Sequence, residues 1–320
     1  MSIVYFLFAQ TLLFAIPLMI VALGGMFSER SGVVNLALEG IMIIGGFAGV
    51  FYLNYMQSND ILHGMPLLLT GLLISGIVGV LFSMLHAFAA IHLGADQTIS
   101  GTALNMLAPA LGIFIAKTVQ DGMQNVSFTN EFRISEVPGL SSIPVLGDLF
   151  FKNCYFTTFL GIAILIISWY FLMKTKTGLR IRSCGENPQA ADAAGISVYK
   201  IRYLGVGISG FLAGMGGLIY ILPISTEFTC TVAGYGFLAL AVLIFGNWTP
   251  LRIAGAAFFF GFMKTLSYTY NSVPLLAKMS LPDTTYKLIP YVATLILLAF
   301  TSKNSAAPRA DGVPYDKSKR

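Results

Sequence analysis

Residues 66–90 read "PLLLTGLLISGIVGVLFSMLHAFAA", with no Asp, Glu, Lys or Arg anywhere in the run. About 20 apolar residues in a row let a helix cross the hydrocarbon core of a bilayer, where the backbone must satisfy its own hydrogen bonds. Similar runs lie at roughly 3–27, 33–55, 98–117, 154–173, 200–222, 235–247, 252–270 and 285–301, which gives about nine spans within bounds of eight to ten. Charged residues make up only 10% of the 320 positions, far below the roughly one quarter found in soluble domains. The chain therefore reads as an all-α, polytopic helical membrane protein, with a transmembrane domain over 1–302 and a short basic tail over 303–320. Its first segment, "MSIVYFLFAQTLLFAIPLMIVALGGMF", has no basic start and too long an apolar run for a cleaved signal peptide. It is expected to remain as the first span.

The charges set an expected orientation. Lys174, Lys176, Arg180, Arg182, Lys200 and Arg202 crowd the segment 174–202 against Glu186 and Asp192, and Lys303, Arg309, Lys317, Lys319 and Arg320 lie in the tail. Short loops rich in Lys and Arg stay in the cytoplasm. Both segments are thus expected inside, four spans apart, and the connection 118–153 faces outside. Counting back puts "SERSG" (28–32) inside and the N-terminus outside. This asymmetry accounts for the net charge of +5, so the charge gives no sign of a nucleic-acid polymer as partner. Cys154, Cys184 and Cys230 form no disulfide framework and are expected unpaired.

One polar stretch stands apart from the spans, "GENPQAADAAGI" at 185–196. Asn187 is a good N-cap, and Pro188 at the first helical position loses only an N–H that has no intrahelical partner. "QAADAA" favours helix, and Gly195 sits where a left-handed residue would end it. About two turns of helix are marginal alone in water, so this one is expected to dock on another surface. The alternative is an ordinary structured loop between two spans.

The chain carries no energy source of its own. It contains no G-x-x-x-x-G-K-[ST] loop for ATP, no G-x-S-x-G elbow, and only three histidines (His63, His86 and His92) without metal spacing. At this point four segments matter together: "FSERSGVVNLALEGIMIIGGFAGV" (27–50), "GADQTISGTALNMLAPAL" (94–111), "TGLRIRSCGENPQAADAAGISVYKIR" (177–202) and "GYGFLALAVLIFGNWTPLRIAGAAFFFG" (234–261). They resemble the permease subunits of bacterial ABC importers of the branched-chain amino acid and simple-sugar class, most closely the shorter permease of nucleoside uptake systems. The resemblance implies a multi-pass subunit of the bacterial cytoplasmic membrane that translocates nucleosides by alternating access. It further implies a cytoplasmic ABC ATPase, a second and longer permease, and an extracytoplasmic solute-binding protein as partners. No cofactor is expected on this chain, since ATP is used by the ATPase. Gly185, Glu186, Asn187, Pro188, Ala191, Ala194 and Gly195 would then form the coupling helix against that ATPase.

The solute path draws on residues that are costly in lipid. Glu39 lies in the apolar run "VVNLALEGIMIIGG", with Asn35 four residues earlier. Helical spacing would put both on one face, where they could bind ribose hydroxyls. Glu39 could equally pair with Arg30, or sit in water at the membrane edge. Asn105 is a second intramembrane amide, with interhelical hydrogen bonding as its first reading. "GYGFLALAVLIFGN" is short and flanked by glycines, as broken helices at transporter binding sites are, which brings in Gly236 and Phe237. "GVVNLALEG" and "GYGFLALAV" also share a glycine followed four residues later by Leu-Ala-Leu, consistent with two related halves. The competing functions are a permease for a simple sugar such as a pentose, an ion-coupled secondary transporter, and a channel or structural scaffold.

Overall fold

The structure is a computed structural model and describes residues 3–120, 122–139, 141, 143, 147–272, 282–301 and 306–317. The tail residues Lys303, Lys319 and Arg320 lie outside the described residues. Among the described residues the α-helices are α1 (Ile3–Arg30), α2 (Leu38–Ser58), α3 (Gly64–Ile91), α4 (Gln97–Val119), α5 (Phe156–Lys174), α6 (Lys176–Glu186), α7 (Pro188–Ala193), α8 (Val198–Ile221), α9 (Tyr235–Phe245), α10 (Pro250–Thr269) and α11 (Asp283–Thr301). Six of them, α1 to α5 and α8, are long and apolar enough to cross a membrane. The all-α expectation needs one small amendment. Two short antiparallel pairs join β1 (Val126–Ser127) to β4 (Glu227–Phe228) and β2 (Arg133–Glu136) to β3 (Lys152–Tyr155). Both lie in connections outside the long apolar helices, where strands can be solvated.

α8 is the central post, packed against α1, α2 and α3. Glycines allow this, because a side chain at Gly45 would run into the backbone of Gly214, and one at Gly217 into the carbonyl of Met42. Helices in lipid gain by such close approach of small residues, since burial among apolar neighbours offers little over lipid itself. The side chains of α4 and α5 that point away from this bundle, among them Ile99, Met106, Phe114, Ile166 and Ile167, are exposed and apolar.

The connections gather at two opposite faces. At one, Arg30 at the end of α1 donates to the Trp248 carbonyl from Nε (3.2 Å) and Nη2 (3.0 Å) and lies 3.8 Å from Glu186. At the other, Asn54 and Gln57 at the end of α2 donate to the carbonyls of Ser127 and Thr129, and Asn125 donates to Glu227. We refer to these as the Arg30 face and the strand face. α9 begins between them, because the Tyr235 hydroxyl donates to the carbonyl of Phe14 (2.8 Å), about halfway along α1.

Candidate functional site

Buried polar groups concentrate where α1 gives way to α2. The chain turns left-handed at Gly32 (φ +91°), and α2 starts only at Leu38. The backbone between them has no helical partners, so side chains must supply them. Gln97 accepts from the Val34 amide (2.7 Å) and His86 Nε2 sits 2.8 Å from the Val34 carbonyl. Asn105 donates to the Leu36 carbonyl (2.7 Å) and accepts from the Gly40 amide (2.8 Å), so it fastens α4 to the start of α2.

Asn35 is fully buried in this irregular segment, donating to Ser209 Oγ (2.8 Å) and accepting from the Ala37 amide. The expected i, i+4 face with Glu39 therefore does not form, because Asn35 precedes the helix. The expected pairing of Glu39 with Arg30 is also absent, since Arg30 turns to Trp248 and Glu186. Glu39 instead accepts from the amides of Gly234 (2.8 Å) and Gly236 (2.6 Å), and the Phe237 amide donates to it as well. The first turn of any helix leaves amides without partners and carries partial positive charge. Here a carboxylate from α2 caps the first turn of α9. Gly234 (φ +78°) sets the turn into α9, and Gly236 lets the Glu39 backbone lie against it. The two "Gly…Leu-Ala-Leu" segments thus meet directly. Glu39, Asn35, Asn105 and Gly236 are brought together, while Phe237 is half exposed on another side of α9.

Phe237 borders a cavity of about 400 Å³ between α9, α10 and α11, which also exposes Lys264. Lys264, a lysine inside the apolar run 252–270, is absent from the residues expected to line the path, although it satisfies the same cost rule that points to Glu39.

The coupling stretch lies on the Arg30 face. Asn187 caps α7 by accepting from the Ala190 amide (3.0 Å), Pro188 is the first helical residue, and Gly195 has φ +80°. Gly185 belongs to α6 and touches the Arg30 carbonyl and Pro308. Glu186, Asn187, Ala194 and Gly195 are exposed, but Pro188 and Ala191 are buried. Ala191 packs with Cys184, Val198 and Tyr315, so the expectation that it presents itself to a partner is corrected. A two-turn helix on a surface has an inner edge, and positions 188 and 191 share it.

The described tail, 306–317, is part of this cap. The Ala310 amide donates to the Gly185 carbonyl (2.8 Å), and the fully buried Arg202 donates from Nη1 to the Val313 carbonyl (3.0 Å). Burial pushes Asp311 up to about 7, against the opposing pull of the Gly312 amide and the Arg202 charge. Burial likewise raises Cys184 to about 11. All three cysteines are buried and free.

Residues 7–299 match the family of branched-chain amino acid transport system permease components. The chain is a member of that family. This permease is 47% identical to the guanosine ABC transporter permease protein NupQ of Bacillus subtilis, over 97% of this chain and 96% of that one. It is 43% identical to the nucleoside ABC transporter permease protein NupC of Lactococcus lactis, with the same coverage of 97% and 96%. A second Bacillus subtilis protein, the guanosine ABC transporter permease protein NupP, is 25% identical over 78% of this chain and 70% of its own length.

Proposed function

We propose that this permease is one of two different membrane subunits of an ATP-driven nucleoside importer in a bacterial cytoplasmic membrane. The observation that carries the reading is the pair of relatives at 47% and 43% identity, each matched almost end to end and each named for guanosine or nucleoside transport. That Bacillus subtilis holds a second, more distant guanosine permease supports a pair of unlike subunits. In this reading α9, α10 and α11 also cross, giving nine spans. The strand face is extracytoplasmic and receives the solute-binding protein. The Arg30 face, with the C-terminus, is cytoplasmic. The exposed edge of α7, with Glu186, Asn187, Ala194 and Gly195, meets an ABC ATPase, whose hydrolysis of ATP drives alternating access. The seam between Glu39 and α9 links α2 to the short helix beside the cavity.

The test is uptake by right-side-out membrane vesicles carrying the whole complex, with ATP inside and labelled guanosine outside. ATP-dependent guanosine uptake that disappears when this subunit is omitted supports the reading. ATP-dependent uptake of a pentose or glucose with no nucleoside uptake overturns it in favour of a sugar permease.

A further inference from the structure

The cavity beside α9 holds a charge that the fold does not explain. Lys264 projects from α10 one turn beyond Gly261, which packs on Ala15, so it sits near the level where α9 begins. The residue is only 9% exposed, and it lines the cavity. Among the described residues no carboxylate pairs with it, and its ammonium lies over the Tyr268 ring, 5.4 Å from Nζ to the ring centroid. The surrounding wall is mostly apolar, with Ala233, Phe237, Leu238, Ala241 and Pro290, and the Thr294 hydroxyl is committed to the Pro290 carbonyl (2.7 Å). A lysine at this depth is costly unless it faces a cavity that uses it. The volume suits a small, flat ligand.

The chemistry narrows the ligand further. An ammonium offers three donors and no acceptor. The 6-oxo group and N7 of an oxopurine place two acceptors side by side, the edge that lysine reads on guanine. Adenine presents one acceptor and one donor at the same edge, so the ammonium meets a like donor there. Phe237, half exposed at the rim, offers a face on which any base can stack. We propose that this cavity is the nucleoside site of this subunit and that Lys264 selects oxopurine nucleosides over adenosine, with Phe237 as the stacking surface. The proposal rests on the nucleoside reading above.

The experiment measures kcat/KM for inosine and adenosine uptake by the whole complex in proteoliposomes, each nucleoside delivered on saturating binding protein. Lys264→Met should lower the inosine-to-adenosine ratio about tenfold, while Lys264→Arg keeps it within about threefold because donors remain. Lys264→Gln, with one donor and one acceptor, should swing the preference toward adenosine, since glutamine matches the adenine edge. Phe237→Ala should lower uptake of both nucleosides about equally. Co-purification of the ATPase with each variant establishes assembly, and either Lys264→Met or Lys264→Gln, once assembled, suffices for the comparison with wild type. An unchanged ratio in assembled Lys264→Met and Lys264→Gln complexes, or an equal loss of both solutes, overturns the proposal. A wild-type complex that takes up neither of these nucleosides nor guanosine overturns the nucleoside reading itself, and this inference with it.

Discussion

The seam between α2 and α9 and the cap at the Arg30 face are both polar, both buried and built in different ways. In the seam, Asn35, Glu39, Asn105 and Tyr235 each find partners at 2.6–3.2 Å. In the cap, Arg202 Nε and Nη2, Arg182 Nε and Asp311 Oδ1 are buried without partners, and so is Gln97 Nε2 at the same end of α4. These are the unpartnered buried side-chain atoms among the described residues, and none lies in the middle of a span. Lipid supplies no substitute hydrogen bond, so a polar group in a span must be matched from within the chain. A group near the aqueous face can be completed by water or by a docked protein. The seam is therefore fixed in one arrangement, whereas the cap has bonding capacity to spare.

Substitutions in the seam should then have the larger effects. Gly236→Ala places a methyl group into the backbone of Glu39, which has no room to yield. Overpacking of this kind costs about 1–3 kcal/mol, and here it also forces α9 off α2. We expect uptake below about a tenth of wild type in a complex that still inserts. Wild-type uptake would show that the seam opens at no cost.

Glu39→Ala comes next, because it leaves the first-turn amides of α9 without an acceptor in a dry site. Each orphaned amide costs about 1–3 kcal/mol, so uptake should fall about tenfold or more. Glu39→Gln keeps one carbonyl oxygen for the three amides but turns an NH2 group toward donors, and should fall in between. If Gln and Ala variants behave alike, the charge of Glu39 matters more than its shape. If both transport normally, the cap on α9 has no part in transport.

The cap divides into an inner and an outer edge, and tryptophan scanning separates them. Ala194→Trp is exposed and should weaken ATPase association several-fold while leaving the permease folded. Ala191→Trp would collide with Cys184, Val198 and Tyr315 and should expose Cys184 to thiol reagents even with no ATPase present. Equal thiol exposure in both variants would remove the distinction between the edges.

Much of this division can be read from the chain, and its failures have a common cause. Local rules found the caps of α7 at Asn187, Pro188 and Gly195, and the cost of a carboxylate in lipid picked out Glu39. What those rules could not supply was the partner. Glu39 and Gly234 are 195 positions apart, and no pattern along the chain states that one caps the other. The left-handed turn at Gly32 ends helical spacing before Asn35, which is why the expected face with Glu39 fails. Ala191 was misplaced because helical periodicity gives an inner edge without saying what covers it. The cover includes Tyr315, more than a hundred residues away. Lys264 is legible by the same rule as Glu39, as a charge within the apolar run 252–270.

The smallest effect belongs to the tail, and it tests the looser half of the comparison by pH. Asp311 has an ordinary value near 3.9 when free and about 7 when the tail is docked. The docked form therefore holds its proton more tightly, so docking is strongest below the free value and weakens as pH rises through about 7. Arg309 lies in the docked segment beside the Ala310 amide that donates to Gly185. Limited proteolysis after Arg309, corrected for protease activity with an unstructured peptide of the same sequence, should run faster at pH 8 than at pH 6, by at most the roughly tenfold that a docked value of about 7 allows. Asp311→Asn removes the titration and should make the corrected rate flat over that range, at or below the wild-type rate at pH 6. A pH dependence that survives in Asp311→Asn would assign the tail's behaviour to another group. A flat wild-type profile would mean that Asp311 keeps its charge when docked, matched by Arg202 across the cap, and that the cap is as fully satisfied as the seam.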